Sequence, residues 1–96
     1  MMPKYLIERE IAAAGQLTAA ELQGAAQVLY QALMEMGPEI QWLHSYVTAD
    51  RFYCVYLAPD ETAIYEHAGY AGFPVSQIMR VTAVIDPATA EEQAAV

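Results

Sequence analysis

Basic residues are scarce in this chain. Lysine and arginine number four against twelve aspartates and glutamates, for a formal charge of −8, and none lies between Arg9 and Arg51. A phosphate backbone would meet a repulsive field, which argues against nucleic acid as a partner. One cysteine, Cys54, excludes an internal disulfide, and such a residue most often serves as a small buried hydrophobe. No apolar run approaches the roughly 20 residues needed to cross a bilayer. The first ten residues, MMPKYLIERE, lack the apolar core of a signal peptide, so the expectation is a cytoplasmic protein that binds no membrane. Metal-ligand spacings such as H-x-x-x-H or C-x-x-C are absent too.

Apolar residues, by contrast, are plentiful. They make up 56% of the 96 residues and charged residues only 17%, below the roughly 25% common in soluble domains. A chain of this length forms one domain with a modest core, expected over residues 1–87 with a tail at 88–96. Its excess of apolar surface predicts burial against another chain.

Residues 42–47 and 52–57 are rich in aromatic and β-branched side chains, and Thr48-Ala49-Asp50-Arg51 between them is short and polar. This predicts an antiparallel hairpin. Before it, Lys4–Glu10 alternates apolar and charged residues as a strand with one wet side does. Thr18 followed by Glu21 is a capping-box signature, opening a helix that runs to about Met36 on a stripe of Leu22, Ala26, Leu29, Leu33 and Met36. Gly37-Pro38 stops it.

After the hairpin, Asp60 is the expected N-cap of a helix over about 61–71, with Ile64, His67, Ala68 and Ala71 on one face. Ile78–Ile85 reads as a last strand, and 88–96 as a loose helix or a frayed end. The order is βαββαβ, an α+β ferredoxin-like arrangement: a four-stranded antiparallel sheet with two helices on one face. The other sheet face is left uncovered, and sheet-to-sheet dimerisation would cover it.

Several segments also carry a family likeness: Lys4-Tyr5-Leu6, W-x-H-S-Y-V from Trp42, C-x-Y-x-A-P from Cys54, E-H-A-x-x-x-G-F-P from Glu66, and V-x-x-V-I-D-P from Val81. In these the chain resembles a nickel-binding protein-like family of small ferredoxin-like domains of unknown function. The matching positions are Ser45, Tyr46, Cys54, Tyr56, Glu66, His67, Gly72 and Pro74. The resemblance implies nickel or another divalent transition metal as the cofactor.

The available donors are His44, Cys54, Glu66 and His67, types that suit a borderline ion. A hairpin closing symmetrically about Ala49-Asp50 sets His44 opposite Val55 and Ser45 opposite Cys54, so His44 and Cys54 point to opposite faces. His67, on the helix face that packs on the sheet, would form a small polar pocket with Ser45, Cys54 and Tyr56, with Tyr46 nearby, holding a metal or small ligand. The alternative is a buried histidine bonded to a tyrosine hydroxyl or a carbonyl. No oxyanion-hole glycines or third orienting residue accompany Cys54 and His67, so enzyme activity is not expected.

Tyr30 and Met34 on the first helix, and Tyr65 and Tyr70 on the second, fall off the packing stripes. They mark either half-exposed tyrosines or a partner surface, since such residues favour interface cores. The expected assembly is a homo-oligomer, with a protein partner through the helix surface as the alternative.

Overall fold

The structure is a computed structural model, and it describes residues 2–94. Strand β1 (Lys4–Glu10) leads through a short 3-10 turn at Ala14–Gln16 into α1 (Ala19–Met36), then β2 (Gln41–Val47), β3 (Arg51–Leu57), α2 (Glu61–Ala71), β4 (Gln77–Val81) and α3 (Pro87–Ala94). The four strands form one antiparallel sheet in the order β2-β3-β1-β4. This is the ferredoxin-like arrangement.

Local chemistry sets each boundary. Thr18 and Glu21 form a reciprocal capping box, with Thr18 N donating to Glu21 Oε1 at 2.9 Å and Glu21 N to Thr18 Oγ1 at 3.1 Å. Asp60 caps α2 by accepting from Ala63 N at 3.1 Å. Gly72, at φ 75°, ends α2 in the left-handed region that glycine tolerates. Gly15 serves a different need, close approach: its N–H donates to Ala49 O at 2.9 Å, and an added Cβ would lie 2.9 Å from Ala49 Cα. The β1–α1 connection is thereby laced to the β2–β3 turn.

Paired residues in antiparallel strands share a face. Tyr5, Ile7 and Arg9 therefore lie with their partners Tyr56, Cys54 and Phe52 on the inner face, against the helices. Ile64, His67 and Ala68 of α2 and Leu29 and Ala32 of α1 are buried here. The outer face, covered by no element among the described residues, carries Leu6, Val55, Leu57, Met79 and Val81, all partly exposed.

The last strand is shorter than the expected Ile78–Ile85, because β4 pairs with β1 only as far as Lys4↔Val81. Pro3, with no N–H, precedes that first paired residue, so residues past 81 have no ladder to join. Val84 and Ile85 stand at 63% and 80% exposure. The tail expected at 88–96 begins as α3, and its last two residues lie outside the described ones.

Candidate functional site

The most concentrated polar chemistry lies inside the inner face. Arg9 and His67 are both fully buried. Arg9 Nη1 donates to Pro74 O at 3.0 Å and Nη2 to the Tyr56 hydroxyl at 3.3 Å. The guanidinium carbon lies 5.9 Å from the ring centroids of both Tyr56 and Phe73, within cation–π range. Tyr56 in turn meets His67 edge-on, with centroids 5.1 Å apart.

His67 Nε2 lies 3.0 Å from Leu29 O. A carbonyl only accepts, so this nitrogen carries the proton and Nδ1 is the bare lone pair. Nδ1 has no partner, and neither does Arg9 Nε. Burial lowers the His67 pKa below its ordinary value; the Leu29 bond opposes this and Arg9 reinforces it. Burial likewise raises the Tyr56 phenol well above its usual range, against the pull of Arg9. The layer is thus one buried cation among neutral groups, with no carboxylate in ion-pair contact among the described residues.

The expected metal donors are dispersed. His44 sits exposed on the outer face beside Tyr46, ring centroids 5.0 Å apart. Cys54 is fully buried on the inner face, and Glu66 is exposed on α2, lining a groove of about 350 Å³ with Glu35, Glu39, Asp60 and Tyr70. No group of three or more His, Cys, Asp or Glu able to hold a metal occurs among the described residues. His44, Cys54, Glu66 and His67 therefore do not form one nickel site within a single chain.

The expected pocket set also divides. Tyr56 lies beside His67 on the face it shares with Cys54, and Tyr46 is 60% exposed on the opposite face. Ser45 accepts from Trp42 Nε1 at 2.9 Å and lines a crevice of about 150 Å³ between α1 and β2. Arg9 is the residue that sequence reasoning missed. Its place on the alternation, two residues beyond Ile7, was the available signal.

A family model described as nickel responsive protein SCO4226-like matches residues 5–81, which span both sheet faces, both main helices and the Arg9–Tyr56–His67 layer. The chain belongs to the SCO4226-like family. Among solved structures, the crystal structure of SCO4226 from Streptomyces coelicolor A3(2) is similar at 15% identity and a TM-score of 0.71, over 85% of this chain and 99% of that one. At that identity the likeness to SCO4226 speaks for the fold alone. No curated protein matches the chain. No helix among the described residues is long and apolar enough to cross a membrane.

Proposed function

We propose that the chain is a non-enzymatic, homo-oligomeric member of the SCO4226-like family, joined to a second copy through its outer sheet face. The observation that carries this is the central outer-face cluster of Leu6, Val55, Leu57, Met79 and Val81, which no element among the described residues covers. Apolar area of this kind is stabilised when removed from water, by about 25 cal/mol per Å². The family's nickel response is carried over as an expectation. With Cys54 and His67 sealed inside, the imidazole that a metal reaches without unfolding the chain is His44, on that same outer face, where donors from a second copy would complete a site.

Sedimentation equilibrium tests the assembly. The wild type is expected as at least a dimer at micromolar concentration, and Val55→Lys as a monomer; a clean 10.6 kDa wild-type species would overturn the reading. Calorimetry with nickel tests the metal: binding lost in His44→Ala and retained in His67→Ala supports the surface site, and the reverse result returns the site to the interior.

A second reading has its own support. Tyr30, Met34, Tyr65 and Tyr70 are 55%, 64%, 59% and 61% exposed, an apolar outer surface on the helices suited to a protein partner.

A further inference from the structure

The family match ends at residue 81, and the structure changes character at the same place. Residues 82–86 form no strand, and among the described residues α3 packs closely on no other element. The radius of gyration is 15.1 Å and the longest extent 46 Å. A compact chain of this length has a radius near 12.5 Å. Residues 82–94 are therefore an arm that leaves the body, and it carries Val84 and Ile85, two of the most exposed large apolar side chains of the molecule. The arm is also shaped in advance: Asp86 Oδ1 accepts from Thr89 N at 3.1 Å, while Asp86 N donates to Thr89 Oγ1 at 3.1 Å, fixing the start of α3.

At the root of the arm the outer face ends in a cleft of about 660 Å³, walled by Leu43, Leu57 and Val81 with Lys4 and Arg80 at its rim. Neither cation forms an ion pair among the described residues. Thr82–Val84 of the same chain already form one wall. An occupant must therefore come from elsewhere, be apolar, and carry negative charge beside it. Ile85, which is 80% exposed and walls no part of its own chain's cleft, followed by Asp86 and Glu91, meets that description.

We infer that the arm is exchanged between two copies beyond Val84, with Ile85 of each seated in the cleft of the other, against that copy's own Val84, and the acidic residues beyond it facing Lys4 and Arg80. Twofold symmetry makes the exchange reciprocal and closed. It also supplies area. Four strands about 4.8 Å apart and roughly 20 Å long give a footprint on the order of 400 Å² before side-chain relief is added. A standard interface takes about 800 Å² from each partner. The inference rests on the outer-face dimer proposed above and extends it.

The test compares full-length wild type, V84D/I85D and Val55→Lys by sedimentation equilibrium, with thermal melting to confirm folding. In V84D/I85D the dimer dissociation constant is expected to rise at least tenfold while the fold persists. A wild type that dimerises and remains equally tight in V84D/I85D, but not in Val55→Lys, overturns the arm and keeps the sheet-face reading; a monomeric wild type overturns both. A second variant, L43C/I85C, treated with oxidised glutathione, is expected to give a covalent dimer, because native Cys54 is fully buried. A disulfide closing within one chain, or no cross-link at all, overturns the exchange.

Discussion

Leu6 and Ile7 are neighbours on β1, yet they live in different solvents. Ile7 is wholly buried between Cys54 of β3, Ile78 of β4 and the helices, whereas Leu6, between Val55 and Met79, is partly exposed on a face that no helix among the described residues covers. The inner face is finished within one chain, down to a buried arginine bonded to a carbonyl and a phenol. The outer face is left partly exposed, with no element among the described residues laid over it. On the reading proposed above, stability belongs mainly to one face and association to the other.

The sharpest way to break this contrast is a pair of alanines. Ile7→Ala should cost about 2–5 kcal/mol, and Leu6→Ala about 1 kcal/mol or less, by urea unfolding at a concentration that keeps the chain monomeric. Equal costs would mean that the outer face is already covered in the monomer. Next comes Arg9, the least ordinary member of the inner face. Arg9→Ala should destabilise by an amount comparable to Ile7→Ala, leaving a cavity and an unpaired Pro74 carbonyl. Arg9→Met fills the volume and removes a buried charge, so it should be close to neutral. A methionine variant as damaged as the alanine one would assign the guanidinium's value to its hydrogen bonds and not to its packing.

His67 gives a smaller, pH-dependent effect. Its pKa is depressed in the folded state and near 6.5 in the unfolded chain, so below about pH 6.5 the unfolded state takes up a proton that the folded state refuses. The stability tied to neutral His67 is fully present above that pH and is lost as the pH falls toward the depressed folded value. Melting temperature should therefore decline more steeply with acidification in the wild type than in His67→Gln, as scanning calorimetry across this window would measure; parallel curves would count against a buried neutral imidazole. The smallest expected effect is that of Tyr65→Arg with Tyr70→Arg. Each exposed position should change stability by no more than about 0.5 kcal/mol. With the outer sheet face as the interface, elution volume should also stay that of the wild type, and its loss would move the interface to the helices.

Most of the fold was legible because each element carries its own punctuation: the Thr18–Glu21 box, the Asp60 cap, Gly37 and Gly72, and a polar turn between two aromatic runs. The pairing of Ser45 with Cys54, and His44 with Val55, followed from the shortness of that turn. What was not legible depends on contacts far apart in sequence. The alternation in β1 places Arg9 on the row of Tyr5 and Ile7 but does not say that a charged end of that row can be buried, because the groups that accept Arg9, Tyr56 and Pro74, lie 47 and 65 residues away. The end of β4 is set by where β1 begins, not by the apolar character of Val84 and Ile85. As for a site, sequence supplied donor types and the opposite facing of His44 and Cys54, which the register bears out; only the fold shows that His67 is fully buried against the Leu29 carbonyl while Glu66 beside it is exposed.

The ladder between β2 and β3 slips between Trp42 and His44, leaving Leu43 without a partner. The slip turns Trp42 to the inner side, where its indole reaches Ser45. It also roughens the free border of β2, one of the two strands with an unpaired side. An outside strand laid along that border would find its hydrogen-bonding rhythm interrupted after the first residues. For a chain so rich in apolar residues and so poor in lysine, such an irregularity would hinder strand-by-strand growth along that border, and a chain shortened by removal of Leu43 would be expected to lose that hindrance while keeping the other pairings of the hairpin.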